Sequence, residues 1–331
     1  MMRRKMPTGI VIGDALGIGP EITVKALADQ GVYRACRPVL IGDPEIVERA
    51  VRKTRANLKI AAVASPGEAD FGYPLLNVIP VSFAKLSSLP LGRPAPASGE
   101  AFVAWFRKGY DLARRGEVGA VVYAPLNKEA VHAAGFPYHD ELDIIKDFEG
   151  GDPFLLVVSI SGRYRFASIP PLHVSLRGAC EALSRESVFR SILLLEEALK
   201  RFGIARPVIG VAGLNPHAGE SGLHGDEEVR IIGPAIEAAR KKGADARGPF
   251  PPDTVFVKAK DGEFDCVLGM YHDQTRIALK LLKFKKIIYT TLGTPIHFVS
   301  VAHGTAYDIA GKWAADADNF KLALRYAGRV R

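Results

Sequence analysis

Three histidines have the sequence context of metal ligands. His173, His217 and His272 each follow a predicted strand directly, in the contexts PPLHVSL, GLNPHAGE and GMYHDQ. Zinc and its first-row neighbours accept neutral imidazole, and three protein ligands with one open position form a catalytic arrangement. One such histidine alone is typical of a structural or surface position, whereas three in the same context indicate convergence. The sequence therefore predicts a divalent metal, either zinc or one of magnesium, manganese and cobalt.

A second stretch with the features of a ligand loop is TLGTPIHFVSVAHGTAYDIAG, residues 291–311. Glycine and proline interrupt the chain near its start, and small side chains after His303 let a backbone approach a flat ligand closely. Asp308 could accept a hydrogen bond from a ribose hydroxyl. For this loop alone, the alternative is an ordinary turn between a strand and a helix, with a capping threonine or aspartate. We interpret it as a cofactor loop, whose predicted contacts are Gly293, His303, Gly304, Thr305 and Asp308.

Other polar residues lie at predicted turns. Asn127 and Lys128 follow a strand-like run, at the end where open α/β sheets bind ligands. The YHDE cluster, residues 138–141, could bind an anion or be solvated, and Asp253 after two prolines could be a base or a helix cap. The turn GDALGIGPEI, residues 13–22, matches neither GxGxxG nor GxxxxGKS/T, so it predicts only a strand, a turn and a helix.

These residues need a scaffold in which strands alternate with helices. Amphipathic segments such as residues 187–202, where apolar side chains recur at helical spacing, separate short apolar runs. That alternation predicts α/β layers with a mostly parallel sheet. The strand-like runs are residues 10–12, 38–41, 120–123, 154–158, 208–211 and 265–270.

Length and composition narrow the class of protein. The chain has 331 residues, of which 48% are hydrophobic and 24% charged, enough for two domain-sized cores. It has no apolar run of about 18 residues and no signal-peptide pattern, so we expect a cytoplasmic protein without a membrane partner. Its net charge of +8 comes without a recognised nucleic-acid motif. The surplus fits an anionic substrate and cofactor, or serves solubility alone. Three cysteines without a CxxC pattern argue against a disulfide framework.

The chain resembles the 4-hydroxythreonine-4-phosphate dehydrogenase family of pyridoxal phosphate biosynthesis. The resemblance rests on motifs that cover almost the whole chain in order: GDALGIGPE, PLNK, LHVSLR, GLNPHAGE followed by GDEE, GPFPPDTVF, YHDQ and AHGTAYDIAG. It implies two α/β/α domains like those of the isocitrate and isopropylmalate dehydrogenases, with the active site in the interdomain cleft. The outer, cofactor-binding domain would comprise residues 1–127 and 283–331. The central domain, residues 128–282, would carry the metal ligands and the dimer interface.

The resemblance also implies roles for individual residues. The family's metal ligands fall on the three histidines named above, which a homodimer with a shared active site would donate across its interface. Substrate contacts fall on His139, Asp140 and Lys280. Asp140 stands where the family usually has threonine, and Ala302 replaces an acidic residue before HGTA. The metal positions are therefore retained, whereas part of the substrate site departs from the family pattern.

Two further phosphate-side positions, usually asparagine and arginine in the family, are Tyr289 and Phe298 here. An arginine fork contributes two charge-assisted hydrogen bonds to a phosphate, and a phenylalanine contributes none. We therefore expect weaker use of the phosphorylated substrate than of some unphosphorylated β-hydroxy acid, unless Lys283 or Lys285 replaces the arginine.

The implied chemistry is NAD- or NADP-dependent and metal-dependent oxidation of a hydroxyl β to a carboxylate, followed by loss of carbon dioxide. A metal would lower the pKa of the substrate hydroxyl and stabilise the charge that develops on its oxygen. Lys280 is the candidate for neutralising the substrate anion or moving a proton, and Asp253 is a weaker candidate base.

Three alternatives stay open at this point. One is a family paralogue acting on a non-phosphorylated substrate, such as the cyclic dihydrodiol carboxylate of terephthalate breakdown. A second is a metal-dependent hydrolase in which the histidine site activates water, although the residues 303–311 loop disfavours it. The third is a binding protein with a decayed site, which the three intact histidines oppose.

Overall fold

The computed structural model describes residues 5–283 and 286–329, so Lys285 lies outside the described residues. The chain divides into two compact units. Unit 1 comprises Met1–Pro153 and Thr294–Arg331, and unit 2 comprises Phe154–Gly293. The sequence-based domain boundaries, after residues 127 and 282, differ from these limits. Among the described residues, no helix has both the length and the apolar character that crossing a lipid bilayer requires.

Unit 1 contains a parallel set of six strands in the order β3-β4-β2-β1-β5-β12. Their carboxyl ends therefore lie along one edge, where the turns that follow β1, β5 and β12 are brought together. The strands are β1 (Pro7–Val11), β2 (Arg37–Gly42), β3 (Lys59–Ala62), β4 (Leu75–Pro80), β5 (Ala120–Tyr123) and β12 (Phe298–Val301).

Seven α-helices belong to the described part of unit 1. Aspartate or asparagine side chains cap four of them, because an oxygen at the N-cap satisfies backbone N–H groups that lack a helical partner. The longest helix, α4, packs an aromatic core that includes Phe102, Trp105 and Phe106. The helices are α1 (Gly19–Leu27), α2 (Gln30–Ala35), α3 (Pro44–Thr54), α4 (Pro96–Arg114), α5 (Lys128–Ala133), α6 (Glu141–Glu149) and α12 (Asp318–Ala327).

Unit 2 contains a mixed set of six strands in the order β11-β6-β7-β10-β8-β9. The β6–β7 hairpin and the β11–β6 pair are antiparallel, whereas β7, β10, β8 and β9 run parallel. The strands are β6 (Leu156–Ser161), β7 (Tyr164–Ser168), β8 (Val208–Ala212), β9 (Asp245–Phe250), β10 (Cys266–Gly269) and β11 (Ile288–Leu292).

Five α-helices accompany these strands in the described part of unit 2. A 3-10 segment, Pro216–Gly222, follows β8, and a π-helical turn, Glu228–Ile232, leads into α9. The helices are α7 (Leu176–Ala182), α8 (Arg185–Arg201), α9 (Gly233–Lys241), α10 (Val255–Asp261) and α11 (His272–Leu282). The predicted α/β class is confirmed, although unit 2 contains two antiparallel strand pairs beside its parallel ones. The predicted helix at residues 187–202 corresponds to α8.

Candidate active site

Two of the three predicted metal ligands lie side by side in unit 2. His173 follows β7 and His272 follows β10, and these strands are parallel neighbours, so their carboxyl ends bring the two rings together. The ring centroids are 5.8 Å apart, with an angle of 51° between the planes. The Nδ1 atom of His272 lies 2.8 Å from a carboxylate oxygen of Asp273, a contact that orients the ring. This pair of imidazoles has the donor chemistry of a transition-metal site.

The third histidine, His217, lies in the segment after β8. Its ring lies beside that of His224, with centroids 6.5 Å apart. Within the described residues, no group of three or more histidine, cysteine, aspartate or glutamate side chains is placed to hold a metal ion. The three-histidine metal site therefore stays a prediction, for which the structure supplies one adjacent pair.

The backbone around His217 is held in a left-handed conformation. His217, Ala218, Glu220 and Ser221 have φ between 42° and 60°, and Gly219 has φ of 77°. Runs of this kind are unfavourable for residues with a Cβ atom and persist only where surrounding contacts enforce them.

Glu228 supplies those contacts from a buried position, with 4% of its surface exposed. Its carboxylate accepts hydrogen bonds from the backbone N–H groups of Leu214 and Asn215, at 2.7 and 2.8 Å. It also accepts from the Asn215 amide at 2.9 Å, and a Cβ atom added to Gly219 would approach it to 2.6 Å. Glu228 therefore fixes the backbone that presents His217. Sequence reasoning missed this role because GDEE gives no sign of which glutamate is buried.

A buried arginine stands one helical turn after His272 on α11. Arg276 is 6% exposed, and its Cζ atom lies 4.5 Å from the centroid of the Tyr289 ring on β11. Its Nε and Nη1 atoms are closed to solvent and have no hydrogen-bond partner among the described residues. Burial lowers the pKa of the guanidinium. Sequence reasoning also missed Arg276, although its spacing of four residues from His272 on a helix would have placed it on the same face.

The predicted catalytic residues of unit 2 are solvent-exposed. Lys280 lies one further turn along α11, and Asp253 precedes the N-cap residue of α10, Thr254. Asp253 and Asp273 line the same apolar cavity of about 470 Å³, which lies between α10 and α11. Lys283, just beyond α11, is exposed as well.

Two predicted substrate residues of unit 1 adjoin the start of α6. Asp140 is the N-cap residue, and its carboxylate accepts hydrogen bonds from the backbone N–H groups of Leu142 and Asp143, at 2.9 and 3.3 Å. His139 is exposed, with its ring centroid 5.7 Å from that of His132. An aspartate is an effective cap at this position, which gives Asp140 a local structural role in addition to the predicted one.

Phe298 lies in the core of unit 1. Its side chain is 0% exposed, and its ring centroid lies 5.3 Å from that of Phe106. Ala302, the residue after this strand, is half-buried. The apolar ring at position 298 therefore stabilises the packing of β12, a role that an arginine could not fill without a buried partner.

The predicted cofactor loop packs against the first turn of the chain. The carbonyl of Thr305 accepts a hydrogen bond from the Ile18 N–H at 3.0 Å, and the Tyr307 hydroxyl donates to the Asp14 carboxylate. Asp14 is 1% exposed and also accepts from the Leu16 N–H at 2.8 Å. Burial raises the pKa of the Asp14 carboxyl, and hydrogen bonds from Tyr307, Leu16 and Ser98 oppose that rise. The glycine-rich turn thus positions the loop.

The two predicted cofactor glycines differ in their surroundings. A Cβ atom added to Gly304 would meet nothing within 4 Å, so this glycine leaves space beside exposed backbone. Gly293 has φ of 92°, and an added Cβ atom would come within 2.0 Å of the Phe154 carbonyl oxygen. The backbone turn alone therefore requires glycine at position 293. His303 is half-buried and Asp308 is exposed.

Comparison with known proteins gives consistent matches. The family model described as pyridoxal phosphate biosynthetic protein PdxA matches residues 34–327. A 4-hydroxythreonine-4-phosphate dehydrogenase of Desulfosudis oleivorans is 42% identical over 328 residues, covering 96% of this chain and 94% of the relative. A putative D-threonate 4-phosphate dehydrogenase of Symbiobacterium thermophilum is 39% identical, with coverage of 97% and 95%.

The chain belongs to the pyridoxal phosphate biosynthetic protein PdxA family. The family resemblance predicted from the sequence motifs is therefore confirmed. The prediction of an oxidoreductase is confirmed as well, since the matched relatives are named dehydrogenases.

Solved structures of other proteins resemble this one to different degrees. The structure is similar to that of a 4-hydroxythreonine-4-phosphate dehydrogenase of Klebsiella pneumoniae, with a TM-score of 0.91, 34% identity and coverage of 100% and 99%. A terephthalate 1,2-cis-dihydrodiol dehydrogenase of Burkholderia xenovorans gives a TM-score of 0.72 at 30% identity, with 98% of each chain covered. A β-decarboxylating dehydrogenase of Thermococcus kodakarensis, at 15% identity and a TM-score of 0.51, shares the fold alone over 96% of this chain and 81% of its own.

Proposed function

We propose that the chain is a cytoplasmic dehydrogenase that uses NAD or NADP and a divalent metal to oxidise a hydroxyl group β to a carboxylate, with release of carbon dioxide. The observation that carries this proposal is the pair of adjacent imidazoles, His173 and His272, at the carboxyl ends of parallel strands. Family membership supports the redox part of the proposal, because the matched relatives are dehydrogenases.

In this proposal, His173 and His272 hold the metal together with His217 of a second copy in a homodimer. The donor set fits zinc, manganese or cobalt better than magnesium, because neutral imidazole is a ligand of intermediate softness. Asp273 holds Nδ1 of His272 and leaves Nε2 free to coordinate. When bound, a metal supplies a Lewis acid for the substrate oxygen and the nicotinamide supplies a hydride acceptor.

The chain's own residues bind and orient the other ligands. The loop that contains His303, Gly304 and Thr305 is proposed to hold the dinucleotide, with Asp308 as acceptor for a ribose hydroxyl. Its attachment to the first turn through Thr305 and Tyr307 keeps it in position without a ligand. Gly293 is proposed to support this loop through its turn.

Lys280 is proposed to neutralise the substrate anion or to transfer the proton that decarboxylation requires. Its exposed position on the last turn of α11, two turns after His272, leaves the ammonium group free to move. Asp253 is the second candidate for the base, since it lines the cavity that also contains Asp273. His139 and Asp140 are proposed as further substrate contacts.

The proposed substrate is a small hydroxy acid, with 4-hydroxythreonine-4-phosphate as the first candidate because relatives across almost the full length carry that name. A second candidate is an unphosphorylated acid such as a cyclic dihydrodiol carboxylate. The observations that favour it are the absence of an arginine at position 298 and the likeness to the terephthalate dihydrodiol dehydrogenase.

The test is an absorbance assay at 340 nm with NAD and NADP. Purified protein is given 4-hydroxythreonine-4-phosphate, D-threonate 4-phosphate and their unphosphorylated counterparts, each with and without a chelator. We expect reduced cofactor from at least one of these acids and loss of the signal with chelator. Hydrolysis of a substrate without cofactor reduction would instead support a metal-dependent hydrolase and contradict the proposal.

A further inference from the structure

We propose that Arg276 binds the anionic tail of the substrate and determines which substrate the enzyme prefers, in place of the arginine that position 298 lacks. The inference rests on the proposed function, since it assigns a specificity residue to that same site. It adds Arg276 to Lys283 and Lys285 as a residue that could supply the missing positive charge.

The first step in the argument is the missing partner of Arg276. Arg276 is only 6% exposed, yet its Nε and Nη1 atoms have no hydrogen-bond partner among the described residues. A buried charge without a counter-ion is costly, and proteins retain one mainly where a ligand or a partner completes it. Phe284 and Lys285, outside the described residues, contain no acid that could pair with it.

The second step is the position of Arg276 relative to the proposed metal. His272, Arg276 and Lys280 occur at intervals of four residues on α11, which places them along one face of the helix. One turn of helix rises about 5.4 Å. An anionic group a few bonds from the reacting hydroxyl would therefore lie opposite Arg276 when that hydroxyl lies at His272.

The third step is the chemistry of the guanidinium. The Nε and Nη1 atoms of Arg276 have no protein acceptor among the described residues. They belong to the two different edges of the guanidinium, each completed by Nη2, and each edge matches the paired oxygens of phosphate or carboxylate. Tyr289 covers one face of the group at 4.5 Å and is half-buried. In this proposal, a change in the rotamer of Tyr289 admits the anion, as side chains at binding sites commonly adjust. Tyr289 lies at a position that contacts the phosphate in the family, and here its ring packs against the Arg276 guanidinium.

The chain offers a matched control in the same unit. Arg190 on α8 also stacks on an aromatic ring, with its Cζ atom 4.4 Å from the centroid of the Phe154 ring. It is solvent-exposed and belongs to no part of the proposed site. Substitution of Arg190 therefore tests the loss of an arginine–aromatic contact without the loss of the proposed anion site.

The experiment measures kcat and KM of wild type, Arg276→Met, Arg276→Lys and Arg190→Met with 4-hydroxythreonine-4-phosphate and with unphosphorylated 4-hydroxythreonine. We expect Arg276→Met to lower kcat/KM for the phosphorylated acid about tenfold to a hundredfold, mainly through KM, as loss of one charge-assisted arginine contact implies. The unphosphorylated acid should be affected less, so the preference ratio falls. Arg276→Lys should give an intermediate loss, and Arg190→Met should match wild type.

Unchanged preference in a folded Arg276→Met or Arg276→Lys protein would overturn the inference, and dimer dissociation with unchanged preference would show that Arg276 pairs with a second copy instead. If Arg276→Met does not fold, the test rests on Arg276→Lys, which keeps the charge. The inference then requires a higher KM for the phosphorylated acid in this variant than in wild type. Failure of the proposed function is distinguishable, because wild type would then reduce no cofactor with either acid.

Discussion

The loop of residues 303–308 and the residues around α11 differ in how many of their polar groups have hydrogen-bond partners within the described chain. Tyr307 and Thr305 bond to the first turn of unit 1, and the buried Asp14 carboxylate has hydrogen-bond donors from that turn and from the loop. In unit 2, the Nε and Nη1 atoms of Arg276 have no hydrogen-bond partner among the described residues, and those residues include no group of three or more metal-binding side chains around the paired rings of His173 and His272.

Exposed apolar side chains also distinguish the region around the histidines. The most exposed large hydrophobic residues in the described part of unit 2 lie in or close to the segments that carry the histidines: Leu176 is 60% exposed, Leu223 73%, Ile277 60% and Leu281 83%. Surface of this kind is typical of a region that a partner or ligand covers. The comparison indicates that the proposed dinucleotide loop is preorganised by the chain itself, whereas the proposed metal and substrate residues depend on further components.

The largest effect is expected from a substitution in the proposed metal site. His217→Ala should remove the bound metal and lower activity by roughly three orders of magnitude, because a metal contributes several kcal/mol to stabilising the developing charge. His224→Ala is the matched control, since its ring is a neighbour of His217 and its side chain is 45% exposed. Metal analysis and kcat decide: full metal content and activity in the His217→Ala protein would exclude His217 from the site.

A second substitution tests how His217 is positioned. In Glu228→Gln, an NH₂ group replaces one carboxylate oxygen, so hydrogen bonds from the backbone N–H groups of Leu214 and Asn215 are lost or weakened. We expect the free energy of unfolding to fall by about 1–3 kcal/mol. Metal affinity should fall about 10- to 100-fold, as for other changes to groups that orient ligands.

Glu227→Gln is the control, because the Glu227 carboxylate accepts from the Asn215 side chain at 2.6 Å and, among the described residues, from no backbone N–H group. Calorimetric titration with zinc and thermal denaturation separate the two effects. Equal zinc affinities in the Glu227 and Glu228 variants would show that Glu228 does not position His217.

The smallest expected effect concerns the preorganised loop. Gly304→Leu should reduce NAD affinity by about tenfold or more and leave metal binding unchanged, because the added side chain has free space in the protein but would occupy the proposed nucleotide surface. Gly151→Leu, at another open glycine of unit 1 with no positive φ, is the control. NAD affinity measured by calorimetry that is the same in both variants would remove this loop from the proposed cofactor site.

Several elements could be predicted from the sequence because their signals are local. The strand-like runs at 120–123 and 208–211 coincide closely with β5 and β8, and the apolar periodicity of residues 187–202 matches α8. The β6–β7 hairpin was missed in part because β7, Tyr164–Ser168, has polar residues at its start and a short turn before it.

The site residues show where local reasoning ends. The proximity of His173 and His272 depends on β7 pairing with β10 across about a hundred residues, and no motif encodes that pairing. The burial of individual side chains is also beyond what the sequence predicts. Neither the unpartnered state of Arg276 nor the 0% exposure of Phe298 can be read from residue type, because both depend on which face of an element meets the core.

The central claim is that this chain couples cofactor reduction to loss of carbon dioxide at a metal held by histidines. The most direct measurement is the ratio of carbon dioxide released to cofactor reduced during turnover of 4-hydroxythreonine-4-phosphate, before chelation, after chelation and after zinc, manganese or cobalt is added back. We predict a ratio of one to one, abolished by the chelator and restored by one of these metals. Turnover that survives chelation, or cofactor reduction without carbon dioxide, would contradict the account.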